Sequence, residues 1–281
     1  MPIHLRFAWR LLVLVVLAIA ATAGRAAAAS VDGIPLHWTS AGSGSQTLVL
    51  VHGWTCDDSS WSGQVPALTS KYRVLTLDLP GHGRSGKIDA ARFSMDLFAR
   101  AVEAVRAEAG AERIVLVGHS MGTPVIRQYA RLYPARVAGL IAVDGPLDMR
   151  QFPGDFKPPV LTGPEGLKAR EGMIRSMFTP QTPPDLQQKI LTMMLKAPEA
   201  TAIGAMGSMM DPALRKDDVT PMPALAVWAG TSQQMPKLED TRKALPKYEQ
   251  TQVPGTGHFL MMEKPDEFNR LVVAFVDKLQ F

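Results

Sequence analysis

The sequence predicts an α/β fold: a mostly parallel sheet flanked by helices, with a helical insertion late in the chain. Three observations predict it. First, QTLVLVHG (46–53), YRVLTLDLPG (72–81), RIVLVGHS (113–120), GLIAVDG (139–145) and ALAVWAG (224–230) are continuously apolar rather than alternating. That pattern belongs to strands buried on both faces, as in a parallel sheet. Second, segments with helical spacing lie between these runs, the alternation of a layered α/β domain. Third, residues 146–220 break the rhythm: they are rich in Pro, Gly and Met and hold no convincing strand.

The elements follow in order. In SMDLFARAVEAVRAEAG (94–110), Met95, Phe98, Val102 and Val105 share a helical face, Ser94 can cap the start and Gly110 can end it. Val125, Ile126, Tyr129 and Tyr133 mark a helix after residue 120, closed before Pro134. Helical pieces are expected near 165–178, 184–196 and 198–210, forming an insertion over the sheet rather than a separate domain. The last strand is expected near YEQTQVPG (248–255). Pro265 suits a first helical turn, and Phe268, Leu271, Val272, Phe275, Val276 and Leu279 form one apolar face after it.

At 281 residues the chain suffices for one large domain with a sizeable core. A 46% hydrophobic and 20% charged composition reads as globular. Residues 1–29 read as an export signal: His4, Arg6 and Arg10 precede the apolar run LLVLVVLAIA (11–20), and small residues follow. Cleavage after Ala23, Ala28 or Ala29 satisfies the small-x-small pattern, which places the mature protein in the periplasm or outside the cell. The alternative is an uncleaved anchor helix, for which the apolar run is short. Without Arg6, Arg10 and Arg25 the net charge falls from +4 to +1. A near-neutral remainder gives no reason to expect nucleic acid or an anionic membrane as partner. The single cysteine, Cys56, excludes an internal disulfide and reads as a buried filler. No His or Cys pair has metal-ligand spacing, so neither metal nor organic cofactor is expected.

The chemistry concentrates in Gly118-His119-Ser120-Met121-Gly122, a G-x-S-x-G set between a strand and a helix. The strand must turn sharply there, so the serine hydroxyl projects above the sheet edge. Ser120 is the expected nucleophile, and the Met121 amide, at a helix N-terminus, an oxyanion donor. His258, in GTGHF (255–259) between the final strand and the last helix, falls on the same sheet edge and is the expected base. The second oxyanion donor is expected from His52-Gly53-Trp54, as the Trp54 amide, with the Trp54 indole walling the acyl pocket. Asp57, Asp58, Ser59 and Ser60 read as caps for the next helix. Gly81-His82-Gly83-Arg84-Ser85-Gly86 fits G-x-G-x-x-G, but Pro80 precedes it and no helix opens until about Ser94, so a dinucleotide site is discarded.

VHGW (51–54), DLPGHGRSG (78–86), GHSMG (118–122) and GTGHF (255–259), in this order, resemble the α/β-hydrolase fold superfamily across residues 31–281. The resemblance implies a serine hydrolase, a structural role for Asp78 and Arg84, and a catalytic acid after the strand ALAVWAG. Thr231, Ser232, Gln233 and Gln234 stand there instead. Asp144, ending GLIAVD, is the expected substitute, because its strand should neighbour that of Ser120. Certain haloalkane dehalogenases of this superfamily resemble that placement of the acid. Asp148, Glu239 and Asp240 are the alternatives, while Asp217 and Asp218 lie close to a linker before Pro221.

In this superfamily such insertions roof the active site. The methionines of 146–220, Met177 and Met206 among them, would line an apolar pocket for an acyl, aryl or lactone substrate. The expected activity is cleavage of a carboxylic ester or related acyl bond of a small apolar molecule. A perhydrolase, a lactonase, a carbon–carbon bond hydrolase, or a non-catalytic ligand-binding protein on the same scaffold are the alternatives.

Overall fold

The computed structural model of the chain describes residues 29–152, 156–232 and 235–281, so the expected export signal, apart from Ala29, lies outside the described residues, as do Gln233 and Gln234. Strands β1 (Ser30–Val31) and β2 (Ile34–Pro35) form a small antiparallel hairpin. Asp32 and Gly33 turn it with φ of 50° and 76°, the twist that a two-residue hairpin favours.

The main sheet has seven strands in the order β3-β5-β4-β6-β7-β8-β9. They are β3 (Trp38–Ala41), β4 (Thr47–Val51), β5 (Arg73–Leu77), β6 (Ile114–His119), β7 (Val137–Val143), β8 (Ala224–Ala229) and β9 (Tyr248–Val253). Only β3 runs antiparallel, paired to β5 at one edge. The apolar runs of β4, β6, β7 and β8 are buried at every position. At the other edge β9 is polar and half-exposed along its middle. The hairpin and β3 carry no strand signal in the sequence: the hairpin strands are two residues each, and TSA within WTSA lacks an apolar run.

The helices are α1 (Val65–Leu68), α2 (Met95–Glu108), α3 (Gly122–Leu132), α4 (Gly163–Arg175), α5 (Pro184–Leu195), α6 (Glu199–Met209), α7 (Leu238–Ala244), α8 (Leu260–Glu263) and α9 (Pro265–Val276). Ser94 Oγ caps α2 by accepting the Leu97 amide at 3.1 Å, and Gly110 follows the helix with φ of 66°. Phe98, Val102 and Val105 of α2 are fully buried. Phe268, Val272 and Val276 of α9 are buried too, and Phe268 stacks on Trp61 at 6.5 Å. Among the described residues no helix is long and apolar enough to cross a membrane.

Helices α4 to α6 occupy the connection between β7 and β8. Both legs of this connection are held by charge: Arg127 and Arg131 of α3 bind Asp218, and Arg150 binds Asp148 and Asp217. Arg170 of α4 donates to the carbonyls of Met194 (3.0 Å) and Ala197 (2.9 Å), closing the C-terminal end of α5 with a cation. Among the contacts that tie α6 to the rest of the fold, the Thr201 hydroxyl donates to the Gly81 carbonyl at 2.6 Å.

Candidate active site

Ser120 lies between the end of β6 and the start of α3 with φ of 53°. A side chain in this left-handed region is strained, and the surroundings must hold it there. Its amide donates to the Val143 carbonyl at 2.9 Å, and its carbonyl accepts from the Thr123 amide (2.9 Å) and hydroxyl (2.8 Å). The flanking glycines are required by contact. A Cβ on Gly118 would come within 2.4 Å of the Gly122 carbonyl oxygen, and one on Gly122 within 2.5 Å of the Val51 oxygen. Met121 is fully buried at the N-cap of α3, where amides have no partner inside the helix.

The loop after β4 is set by a buried histidine. The Leu79 amide donates to His52 Nε2 at 3.0 Å, so Nδ1 carries the proton and donates to the Gly53 carbonyl at 2.9 Å. The Cys56 amide reaches the same carbonyl at 3.2 Å. In a trans peptide the N–H points opposite to the C=O. These bonds therefore turn the Trp54 amide away from His52. A Cβ on Gly53 would approach Ser120 Cβ to 3.2 Å, so the loop passes directly against the serine. The Trp54 indole is buried, and its Nε1 donates to the Ala202 carbonyl of α6 at 2.9 Å.

Asp144 follows β7 with φ of 46°, and its amide donates to the Val227 carbonyl of β8 at 2.9 Å. Its Oδ2 lies 2.6 Å from His258 Nδ1. Its Oδ1 accepts the Ala229 amide at 2.8 Å and the Ser232 hydroxyl at 2.6 Å. Burial raises the cost of the carboxylate, but the bonds from His258, Ser232 and Ala229 outweigh it and hold the carboxyl below its ordinary range. The carboxylate fixes the proton of His258 on Nδ1 and leaves Nε2 as the free lone pair. His258 is one-fifth exposed at its side chain, and its amide donates to the Met177 carbonyl in the α4–α5 connection at 3.0 Å.

Two of the alternative acids are paired elsewhere and the third is exposed. Asp148 is bound by Arg150, Asp240 is exposed and paired with Lys243, and Glu239 lies exposed in the first turn of α7. Asp78 is fully buried and ties its turn together, accepting the Asp58 and Arg84 amides at 2.8 Å each. Asp57 caps the short helical turn Asp58–Trp61, while Asp58 pairs with Arg84. His37, Asp58 and Asp78 come together within 4.8 Å, but the Arg84 guanidinium already supplies a cation to both carboxylates. Of the two substrate-facing methionines expected from the sequence, Met177 is half-buried beside the His258 loop and Met206 is buried within α6. Met193 lines a cavity of about 220 Å³ with Thr55 and Cys56, between the loop after β4 and the insertion, whose lining does not include Ser120 or His258.

The contacts of His52, His119 and Ser232 are not apparent in the sequence. For Ser232 a signal exists: it stands in the loop after ALAVWAG, where the resemblance implies an acid. For the two histidines none does, because their roles depend on a partner far along the chain.

Residues 48–271 match the alpha/beta hydrolase family. The chain is 31% identical over 248 residues to a pimeloyl-[acyl-carrier protein] methyl ester esterase of Aeromonas hydrophila, covering 82% of this chain and 94% of that one. It is 26% identical over 269 residues to a 2-hydroxy-6-oxononadienedioate/2-hydroxy-6-oxononatrienedioate hydrolase of Dechloromonas aromatica, covering 86% and 91%. Among solved structures, a thermophilic esterase from Thermogutta terrifontis superimposes with a TM-score of 0.73 at 25% identity, over 90% of this chain and 97% of that one. With the sheet order and the elbow at Ser120 in place, the chain belongs to the alpha/beta hydrolase family.

Proposed function

We propose that the chain is a serine hydrolase that cleaves a carboxylic ester or related acyl bond of a small apolar substrate, using Ser120, His258 and Asp144. The observation that carries this reading is the 2.6 Å bond between Asp144 and His258 Nδ1, made at the sheet edge on which Ser120 turns. His258 Nε2 takes the Ser120 proton as Oγ attacks the carbonyl carbon. The tetrahedral oxyanion is held by the amides of Trp54 and Met121, each such donor being worth about 10²–10³ in rate. Asp144 keeps the imidazole in the productive tautomer and offsets the imidazolium charge. Collapse returns the proton from His258 to the leaving alkoxide. A water, deprotonated in turn by His258, then attacks the acyl carbon, and collapse releases the acid as His258 returns that proton to Ser120 Oγ.

Helices α4 to α6 serve as the roof of this site, a role supported by the bonds from Trp54 to Ala202 and from His258 to Met177. The esterase from Aeromonas hydrophila supports an ester as the substrate class. Export is part of the same proposal. Ala29 is buried and its carbonyl accepts the Leu36 amide at 2.9 Å, so cleavage after Ala23 or Ala28 keeps that contact.

A fluorophosphonate probe tests the reading directly. The wild type is expected to form a covalent adduct and Ser120→Ala none. A folded wild type that stays unlabelled would favour a ligand-binding protein on a hydrolase scaffold.

A further inference from the structure

The residue before the nucleophile is a histidine outside the proton relay. His119 ends β6 and is fully buried. Its ring centroid lies 4.8 Å from that of His258 and 4.9 Å from that of Phe259. Its Nε2 is 2.9 Å from the His258 carbonyl oxygen. A carbonyl only accepts, so Nε2 carries the proton and Nδ1 is a bare lone pair. Among the described residues that Nδ1 is buried with no hydrogen-bond partner, and a Cβ built on Gly53 would come within 3.0 Å of it. One ring therefore touches the strand end that carries the nucleophile, the loop after β4 and the loop of the base.

We infer that His119 is a positioning residue: as a neutral Nε2–H imidazole it fixes the backbone of His258, and so holds the base in register with Ser120 and the loop after β4. The inference rests on the roles proposed above for Ser120 and His258. Its chemistry explains the residue type. Phe would fill the space but offer no donor to the His258 carbonyl. Lys or Arg would donate but place a permanent cation beside the imidazolium that forms during turnover. A buried imidazole supplies the donor without the charge. The groups that bear on its protonation are His258, Asp144 and His52. Burial, and then the neighbouring His258 and His52, outweigh the His258 carbonyl and Asp144, and push His119 down to about 3.

Steady-state kinetics on a short ester, with His119→Phe and His119→Gln, tests this. The Phe variant is expected to lose about 10- to 100-fold in kcat with KM changed by less than about threefold, the signature of a misplaced base rather than lost binding. The Gln variant, whose amide can reach the same carbonyl, should recover most of the rate. Nitrogen NMR of the wild type should show His119 as the Nε2–H tautomer, not titrating between about pH 5 and 9. This measurement can still overturn the inference if the Phe variant fails to fold. A folded Phe variant with wild-type kcat, a Gln variant as slow as Phe, or a titrating His119 overturns the inference. Full turnover by Ser120→Ala would instead overturn the catalytic reading on which it rests.

Discussion

Replacing Asp144 by asparagine changes one oxygen for nitrogen, and the surrounding donors dictate where each atom goes. The Ala229 amide can only donate, and it points at Oδ1 from 2.8 Å. The asparagine oxygen must therefore take the Oδ1 position. Its NH₂ then faces His258 Nδ1, where Oδ2 now accepts at 2.6 Å. An NH₂ needs an acceptor, so the imidazole is driven to the tautomer with the proton on Nε2. Nε2 can no longer take a proton from Ser120. The Ser232 hydroxyl, which also reaches Oδ1, can rotate and does not oppose this arrangement. A wrong-tautomer substitution of this kind costs about 10⁴ in turnover, or about 5.5 kcal/mol of barrier. The expected outcome is that loss in kcat on p-nitrophenyl acetate, a parallel fall in the rate of fluorophosphonate labelling, and an unchanged fold. Asp240→Asn should be silent, since Asp240 is exposed and paired with Lys243. A loss below about tenfold for Asp144→Asn, or a large loss for Asp240→Asn, would refute the assignment.

Two further outcomes follow from burial. His82 is driven down to about 3 by burial and by neighbouring His52, and His119 behaves alike. The unfolded chain binds more protons than the folded one below the ordinary histidine value of about 6.5, so stability is complete above that pH and falls as pH drops toward 3. Each histidine contributes up to about 1.4 kcal/mol per pH unit. Urea unfolding should show a lower midpoint at pH 5 than at pH 7, and equal midpoints would contradict two buried neutral rings. Separately, Gly122→Ala should destabilise by about 2 kcal/mol, because its Cβ would meet the Val51 carbonyl oxygen, a backbone atom that cannot swing aside, at 2.5 Å. A thermal midpoint equal to the wild type would count against the tight elbow.

The central strands were legible because each is covered on both faces, and LVLV, VLTL or IVLV leaves little choice but a buried strand. The edge strand β3 was not, since WTSA buries too little to carry a pattern. Helices α1 and α8 span four residues each, too few for a helical period to show. The elbow was legible because its glycines and serine are adjacent in sequence. The bonds that orient the Trp54 amide were not, because they run from the Leu79 amide through the His52 ring to the Gly53 carbonyl. The methionines illustrate the remaining limit. Composition marks the insertion as apolar, but only the fold distinguishes Met193, which lines a cavity, from Met206, which is packed inside α6.

The loop after β8 carries no acid of its own, yet with the end of β8 it makes two of the bonds that fix Asp144. In the sheet β8 lies between β7 and β9, and Val143 of β7 pairs with Val227 of β8. Neighbouring strands are about 4.8 Å apart, so side chains leaving adjacent strand ends can reach a common point. His258 arrives from beyond β9 and meets Asp144 across the end of β8. A carboxylate placed on β8 itself would approach that imidazole from the middle strand; here it comes from one strand nearer to Ser120. What β8 and its loop contribute instead is two donors, the Ala229 amide and the Ser232 hydroxyl, both aimed at the Asp144 oxygen that His258 does not use. Those donors offset the cost of burying the charge and orient the second oxygen toward Nδ1. On the proposed function, β8 and its loop serve the triad without supplying its acid: through Ala229 and Ser232 they hold in place a carboxylate that the end of β7 provides.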